Sequence, residues 1–364
     1  MRNDFNPNQI NLFDFNEDRG TTRERERERV RFRHIFYDII SVDNLLISWK
    51  EFLRGKKKRK DIAEFSVNLM DNILDLHQEL TNKTYHHGGY YAFKINDPKP
   101  RDIHKASVRD RLLHHAIYRI LYPYFDRKFI CDSYSCRINK GTHKAINRFR
   151  EFSYKVSKNN TRTCWVLKCD IRKFFANIDH KILTEILDKY IENENVLWLL
   201  NEVISSFASF KDGVGLPLGN LTSQLLVNIY MNEFDQFVKH KLKNKYYVRY
   251  CDDFVILSEH REWLELIIPS IKLFLKESLG LELHPNKISI KTLASGADFL
   301  GWVNFFDHII LRTATKKRMF KKIKRNPELE LLNSYLGLLR HGNAVKLKGK
   351  LLRHYGFLDN FKMQ

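Results

Sequence analysis

Hydrophobic and polar positions recur with two different periods along this chain of 364 residues. Apolar residues three or four positions apart, as at Ile182, Ile186 and Tyr190, predict an amphipathic helix. Short runs rich in β-branched and aromatic residues, such as CWVLKC and YYVRYCDDFVIL, predict strands. The pattern therefore predicts a chain that mixes helices with strands.

The first candidate for chemistry is Asp170, which follows directly on the predicted strand CWVLKC. A carboxylate at the C-terminal end of a strand can project beyond the sheet edge, where it is well placed to bind a ligand. An aromatic pair comes next, and Asp179 is the expected cap of the helix that carries Ile182 and Ile186. We therefore expect the order strand, carboxylate, aromatic pair and helix.

The second candidate is the segment around Cys251, Asp252 and Asp253, which predicts a hairpin with two adjacent carboxylates at its tip. An ordinary polar turn would favour Asn-Gly or Asp-Gly over two carboxylates that repel each other. With Asp170 on a neighbouring strand, they would hold two Mg²⁺ ions, with Mn²⁺ able to substitute. Such a site predicts in-line phosphoryl transfer, in which a 3′-hydroxyl is activated and the leaving pyrophosphate is stabilised.

Two further segments have helical spacing. GLPLGNLTSQLLVNIY predicts a helix that buries Leu221, Leu225 and Ile229, with Asn220 as its cap. LELLNSYLGLLRHG repeats leucine at helical intervals and reaches Gly342, where a helix would stop.

Composition and charge narrow the class of partner. Hydrophobic residues make up 43% of the chain and aromatic residues 13%, which excludes a wholly disordered or collagen-like protein. The net charge of +20 calls for a polyanionic partner, with nucleic acid as the first expectation. From Arg312 to the last residue, 14 Lys or Arg stand against 3 Asp or Glu, which predicts a basic helical module.

The chain has two other charged segments, an alternating run from Arg23 to Arg33 and the run from Lys56 to Lys60. They flank a helical stretch that we expect around Phe65 to Leu80. They are either solvated surface or contacts to nucleic acid or an acidic partner. No apolar run is long enough to cross a bilayer, and the N-terminus lacks the core of a signal peptide, so we expect a cytoplasmic protein without a membrane partner. Five cysteines without knuckle spacing favour reduced thiols over disulfides or zinc.

From about Phe93 to Phe361 the motifs resemble those of reverse transcriptases, in the same order. KPRDI and VRDRLLHHAI resemble fingers motifs, DIRKFFANID the first catalytic motif, and LGLELHPNKISI and ADFLGWVNF later palm motifs. The resemblance implies an α+β fold with right-hand polymerase architecture: fingers, a palm of antiparallel sheet with helices, and a helical thumb. The implied boundaries are a basic helical N-terminal extension over 1–84, fingers over 85–163, a palm over 164–306 with a fingers-associated insertion near 200–218, and a basic helical thumb over 307–364.

The resemblance also implies roles for individual residues. The catalytic residues would be Asp170, Asp252, Asp253 and Lys287, with Lys287 as general acid for the pyrophosphate or as an exposed lysine without a role. The metal ligands would be Asp170, the carbonyl of Ile171, Asp252 and Asp253. The nucleotide would contact Lys94, Lys99, Arg101, Phe175, Leu218, Gly219 and Gln224. The primer grip would be Phe299, Leu300, Gly301 and Trp302, and the nucleic-acid backbone would lie along Arg312, Lys316, Lys317, Lys321, Lys346 and Lys350.

Some of these roles have plainer alternatives. Arg101 could form a surface salt bridge instead of gripping the triphosphate, and Phe175 could pack in the core instead of excluding a 2′-hydroxyl. Leu218 could merely pack against the fingers.

The segment around Leu218 indicates a subtype. Most reverse transcriptases carry Gln-Gly followed by Ser-Pro, whereas this chain has Leu218-Gly219 followed by Ser223-Gln224. This form resembles the reverse transcriptases of diversity-generating retroelements. The resemblance implies error-prone, adenine-mutagenised cDNA made from a template-repeat RNA, with primer, cDNA strand and dNTPs as partners. A small basic helical accessory variability protein that forms a ring would be a further partner.

The alternatives are a group II intron-like, retron-like or antiphage reverse transcriptase, and an RNA-binding scaffold with an inactive palm. Retron enzymes usually show a Val-Thr-Gly element that is missing here, and an intron-encoded enzyme would need further segments after the thumb. The three carboxylates speak against an inactive palm.

Overall fold

The computed structural model describes residues 32, 36–96 and 100–362, with the side chains of 357–362 excepted. Its first helices are α1 (Phe36–Ile40), α2 (Val42–Phe52), α3 (Lys60–Val67) and α4 (Leu69–Thr81). The single helical stretch expected around Phe65 to Leu80 is thus two helices, because Asn68 leaves the helical region with φ −112° and ψ 45°. The charged run from Arg23 to Arg33 lies outside the described residues, apart from Phe32.

The next elements form a hairpin and two long helices. Strands β1 (Tyr90–Ile95) and β2 (Arg101–Ala106) pair antiparallel, and α5 (Val108–Lys128) and α6 (Thr142–Val156) follow. Ser107 begins α5 because its side chain accepts a hydrogen bond from the Asp110 amide, which satisfies a free N–H of the first turn. The His104 amide of β2 donates to the Leu218 carbonyl at 3.1 Å. The hairpin is therefore hydrogen-bonded to the loop that is predicted from the sequence to contact the nucleotide.

A four-stranded antiparallel sheet occupies the middle of the chain, in the order β4 (Tyr247–Tyr250), β5 (Asp253–Ser258), β3 (Trp165–Asp170) and β6 (Ser289–Thr292). The helices of this region are α7 (His180–Tyr190), α8 (Glu194–Ser205), α9 (Leu221–Gln236) and α10 (Arg261–Leu279). The side chain of Asp179 caps α7 as predicted. Helix α9 is almost wholly buried and packs against α5 and α7, so it forms the centre of the core beneath the sheet.

The last part of the chain has its own apolar cluster. Strands β7 (Ala297–Phe299), β8 (Trp302–Asn304) and β9 (Ile309–Leu311) precede α11 (Thr313–Arg325), α12 (Leu329–Leu339) and α13 (Val345–Lys362). Residues of β8, β9 and all three helices share this cluster with Ile146 of α6. The structure confirms an α+β fold with an antiparallel palm sheet, while the exact domain boundaries stay a prediction. No helix among the described residues is long and apolar enough to cross a membrane.

The expected role of Gly342 was only partly right. Helix α12 ends at Leu339, before Gly342, and Arg340 closes it in a right-handed conformation. Gly342 is needed for another reason: a Cβ atom there would lie 2.2 Å from a ring carbon of Trp302 and 3.1 Å from the Ile309 carbonyl oxygen. The neighbouring amide of Asn343 donates to the same carbonyl at 2.8 Å. This close approach sets the position of the thumb helices on the β7–β9 sheet.

We predict that Gly342→Ala destabilises the protein by about 1–3 kcal/mol, because the added methyl group overlaps a buried indole ring and a backbone oxygen. Gly337→Ala in the interior of α12 is the matched control, since a Cβ atom there meets nothing within 4 Å. That change should stabilise by roughly 0.5–1 kcal/mol through helix propensity. Urea denaturation of the two variants measures both effects, and equal stabilities would contradict the assigned contact.

Candidate active site

The three predicted carboxylates lie at one end of the palm sheet. Asp170 is the last residue of β3 and stands opposite Asp253, the first residue of β5. Asp252 lies in the turn between β4 and β5, and its carbonyl accepts a hydrogen bond from the Ile171 amide at 3.3 Å. The hairpin predicted from YYVRYCDDFVIL therefore exists, and its tip brings Asp252 and Asp253 beside Asp170.

A buried arginine, which the sequence reasoning missed, supports this turn. The Arg249 side chain is 1% exposed and donates two hydrogen bonds to Asp235 of α9, at 2.7 and 2.6 Å. It also donates to the carbonyl of Cys251 at 3.1 Å and to the Asn228 side-chain oxygen at 3.3 Å. The Tyr247 hydroxyl donates to the same Asp235 carboxylate at 2.7 Å. Both charges are thus paired and hydrogen-bonded, which is the condition under which an ion pair can be buried.

The contact to Cys251 matters because Cys251 has a φ of 59°, a left-handed conformation that non-glycine residues seldom adopt. Such strain costs on the order of 1 kcal/mol and persists only where the surroundings hold it. The bond from Arg249 supplies such a restraint directly before Asp252. The sequence contains a signal for this network: an arginine inside a run of apolar strand residues needs a buried partner.

Burial also governs the charge of the carboxylates. It raises the pKa of Asp252, and repulsion from Asp170 raises this pKa further. Burial raises the pKa of Asp253 to about 6, although the positive charge of Lys168 opposes the shift. One oxygen of Asp253, Oδ1, is buried without a hydrogen-bond partner, and the Lys168 ammonium lies 3.8 Å from it. The negative charges of Asp252 and Asp253 are therefore only partly balanced by positive groups of the protein.

Lysines supply part of that charge. The Lys287 ammonium donates to Asp170 Oδ1 at 2.7 Å, so the predicted general acid is bound to a predicted metal ligand. Among the described residues, no three His, Cys, Asp or Glu side chains are arranged around one point as metal ligands would be. The donor set nevertheless fits a hard divalent cation, because it consists of carboxylate oxygens, one of them buried and unpartnered.

Three of the predicted nucleotide residues, Phe175, Leu218 and Gly219, lie where the fingers hairpin reaches the palm. Phe175 is half-buried, edge-on to Phe174, and its carbonyl accepts a hydrogen bond from the Leu216 amide at 2.8 Å. Phe174 is buried, as expected of a core residue. Gly219 has a φ of 105°, and a Cβ atom there would lie 2.9 Å from the Ile103 side chain of β2. Glycine is required at this position both by conformation and by the close approach of the hairpin.

Helix α9 begins directly after this loop. Asn220 does occupy its N-cap position, but its side chain makes no capping bond and donates instead to the His104 carbonyl at 3.0 Å. The Asn220 side chain therefore forms a second hydrogen bond between palm and fingers instead of capping the helix. Gln224 lies in the first turn of α9 and is half-buried, and its carbonyl accepts a hydrogen bond from Asn228.

Other predicted contacts lie on the fingers hairpin and in the turn between β7 and β8. Lys94 and Arg101 are exposed on the fingers hairpin, and Lys99 lies outside the described residues. The side chains of Phe299 and Trp302 are buried, so of the expected primer grip the accessible part is the turn at Leu300 and Gly301. Both rings face inward because they fill the apolar clusters on either side of the turn, and the primer grip as a whole stays a prediction.

The predicted backbone contacts lie along α11, including its N-cap residue Arg312, and on α13. Arg312 is exposed but paired with Asp298 at 2.9 Å, and its amide donates to the Gly301 carbonyl. Lys350 lies over the Phe320 ring at 5.6 Å. Lys316 is half-buried, whereas the other three members are exposed: Lys317, Lys321 and Lys346.

An antiparallel palm with three carboxylates at one end of the sheet defines a template-directed nucleic-acid polymerase. Residues 93–304 match the model of the family described as reverse transcriptase (RNA-dependent DNA polymerase). The chain belongs to this family, and RNA-directed DNA polymerase is its enzyme class.

Several relatives are similar over most of the chain. Protein YkfC of Escherichia coli K12 is 24% identical, over 70% of this chain and 74% of its own length. The group II intron-encoded protein LtrA of Lactococcus lactis is 26% identical, over 66% of this chain and 50% of its own length. A putative COX1/OXI3 intron 2 protein of Saccharomyces cerevisiae is 21% identical, over 73% of this chain and 36% of its own length. The chain thus spans half or less of these two intron-encoded relatives.

Among solved structures, telomerase from Candida albicans in complex with a telomeric RNA fragment aligns with a TM-score of 0.49 at 14% identity. The alignment covers 79% of this chain and 60% of the telomerase chain.

We predict that Arg249→Lys slows DNA synthesis by roughly 10- to 100-fold, because one ammonium cannot replace both the Asp235 bonds and the bond to the Cys251 carbonyl. The loss corresponds to about 1.4–2.8 kcal/mol of transition-state stabilisation. Steady-state primer extension should show the loss in kcat, with affinity for the primer–template retained.

Arg261→Lys is the control, since Arg261 pairs with Glu265 on an exposed helix face and is expected to leave kcat unchanged. Thermal melting separates a misplaced turn from an unfolded palm. Arg249→Lys with an unaltered kcat would show that the ion pair does not position the turn.

Proposed function

We propose that the protein is the reverse transcriptase of a diversity-generating retroelement. It copies a template-repeat RNA into adenine-mutagenised cDNA, which diversifies a target gene by mutagenic retrohoming. The family match supports the polymerase chemistry, and the Leu218-Gly219 and Ser223-Gln224 form supports the subtype. The observation that carries the subtype is the location of Leu218, directly before Gly219, where its carbonyl accepts a hydrogen bond from the His104 amide of the fingers hairpin.

Two Mg²⁺ ions would be held by Asp170, the Ile171 carbonyl, Asp252 and Asp253, with Mn²⁺ able to substitute. When bound, these ions supply positive charge to the attacking and leaving oxygens of an in-line displacement. The rest falls to the chain's own groups. Lys287, released from Asp170, gives a proton to the leaving pyrophosphate oxygen, and the ring of Phe175 excludes a 2′-hydroxyl.

The fingers and thumb would hold the substrates. Lys94, Lys99 and Arg101 of the fingers contact the triphosphate of the incoming dNTP, and the turn at Leu300 and Gly301 contacts the primer end. The basic thumb follows the phosphate backbone of template RNA, primer and cDNA independently of sequence. A small basic accessory variability protein is the proposed protein partner.

A group II intron-like function is the second candidate, because relatives found by sequence comparison include intron-encoded proteins such as LtrA. That similarity covers the polymerase core, which both subtypes would share. The two candidates therefore differ at Leu218 and its neighbours, and fidelity separates them.

We predict that Asp252→Ala or Asp253→Ala abolishes Mg²⁺-dependent primer extension, because each variant lacks an oxygen ligand at the tip of the catalytic hairpin. RNA binding in the absence of Mg²⁺ should stay nearly unchanged, since the backbone contacts lie mainly on the thumb. Extension at the wild-type rate by either variant would move the active site elsewhere.

We predict frequent misincorporation opposite template adenine by the wild-type protein, and higher accuracy for Leu218→Gln. A glutamine amide can restrain the nascent base pair through polar contacts, whereas leucine offers only an apolar wall. A restraint of about 1–3 kcal/mol corresponds to roughly 10- to 100-fold in accuracy.

Sequencing of cDNA made from a defined RNA template measures the error rate, and Leu218→Ile serves as the aliphatic control. An active Leu218→Gln variant that copies adenine no more accurately would refute the role of this residue and favour the intron-like candidate.

A further inference from the structure

Lys168 of β3 lies beside the carboxylates of the candidate active site, yet no step of the proposed mechanism uses it. Side chains two residues apart in a strand point to the same face, so Lys168 shares a face with Asp170. Asp170 is paired with Asp253 of β5, which makes Asp253 a diagonal neighbour of Lys168 across the two strands. A long side chain reaches such a neighbour, and the Lys168 ammonium lies 3.8 Å from Asp253 Oδ1. A positive charge therefore stands next to a proposed metal ligand.

A second carboxylate lies at nearly the same distance from this ammonium. Asp298 of β7 has its Oδ2 atom 4.0 Å from Lys168 Nζ, and the same oxygen pairs with Arg312 at 2.9 Å. Both distances from the Lys168 ammonium exceed the length of an N–H···O hydrogen bond, which is about 2.7–3.2 Å. Lys168 is thus shared between Asp253 and Asp298 and is hydrogen-bonded to neither.

Each of these carboxylates has an oxygen that can accept the lysine. Asp253 Oδ1 and Asp298 Oδ1 are both buried, and neither has a hydrogen-bond partner among the described residues. A buried oxygen without a donor destabilises the fold. Lysine carries three donors on a flexible stem of four carbons, so rotation within this stem brings a donor to either carboxylate. Asp253 and Asp298 therefore compete for one ammonium group.

The charge of a bound cation would decide this competition. An ammonium next to a ligand oxygen repels a divalent cation on that oxygen, because both are positive and the site is partly shielded from water. Asp298 lies outside the proposed metal set, so Lys168 can leave Asp253 and still keep a negative partner. Arg312 occupies one oxygen of Asp298, which leaves the other for the lysine.

We propose that Lys168 is a movable counter-ion, which pairs with Asp253 until this carboxylate binds a divalent cation and then pairs with Asp298. Lys168 and Asp298 are thus positioning residues, since they act on the cation through Asp253. The inference rests on the proposed function, because it needs a divalent cation at Asp253. The alternative is a fixed network, in which each charge affects the site only through its electrostatic field.

A double-mutant cycle in the full-length chain separates the two. Lys168→Met removes the ammonium and keeps most of the stem, Asp298→Asn removes the second partner at constant size, and a third variant carries both changes. Lys158→Met is the matched control, because Lys158 lies 3.5 Å from Glu259, which follows β5 at the end opposite to Asp253. Thermal melting shows which variants fold, and Lys168→Gln replaces Lys168→Met if the methionine variant melts early.

Electron paramagnetic resonance of free Mn²⁺ measures binding of this cation without nucleic acid or dNTP. Lys168→Met should bind Mn²⁺ roughly 10-fold more tightly, because a positive charge beside the ligand is removed. Asp298→Asn should bind it roughly 3- to 10-fold more weakly, because the ammonium then has only Asp253 as its partner. In the Lys168→Met background, Asp298→Asn should change the affinity by less than about twofold, the range within which independent sites add. Lys158→Met should equal the wild type.

Equal effects of Asp298→Asn in the two backgrounds would overturn the proposal, since they would show a fixed network of independent charges. An unchanged affinity in Asp298→Asn or in Lys168→Met would overturn it as well. Asp253→Ala distinguishes these failures from failure of the proposed function. If Mn²⁺ binds the wild type and Asp253→Ala equally, the proposed metal site is wrong, and the role of Lys168 is lost with it.

Discussion

The geometry of the hairpin that carries Asp252 and Asp253 depends on one buried ion pair, between Arg249 and Asp235. Removing two charges from water costs several kcal/mol, and the cost is met only because the guanidinium and carboxylate bond face to face and find further polar partners. The pair fixes strand β4 on helix α9, the most buried helix, and extends to the Cys251 carbonyl at the turn. The position of the carboxylate tip is thereby coupled to the core.

The rest of the palm follows from the charge that this arrangement creates. Burial raises the pKa of both Asp252 and Asp253, and repulsion from Asp170 raises both further. The Lys287 ammonium bonds Asp170, and the Lys168 ammonium lies 3.8 Å from Asp253. Lys168 also lies 4.0 Å from Asp298, which pairs with Arg312 at the start of the first thumb helix. Alternating charges therefore run from the proposed metal site to the base of the thumb. A change of charge at one end alters the electrostatic potential at the other end.

Steric contacts join the three parts of the molecule at two glycines. Gly219 allows the fingers hairpin to approach the palm loop, and Gly342 allows the thumb to approach Trp302. Both are places where a Cβ atom would collide with a neighbouring element, so these two contacts are set by close packing as much as by charge.

The sequence by itself determined the local elements: the strand that ends in Asp170, the hairpin with Asp252 and Asp253, the cap at Asp179 and the basic helices after Arg312. These follow from local periodicity and residue type, which do not depend on distant neighbours. Tertiary structure alone decided the rest. It determined that the Asn220 side chain bonds the fingers hairpin and that Arg249 pairs with Asp235. These contacts join residues that are separated along the chain. Register and burial, which no local pattern contains, determine such contacts.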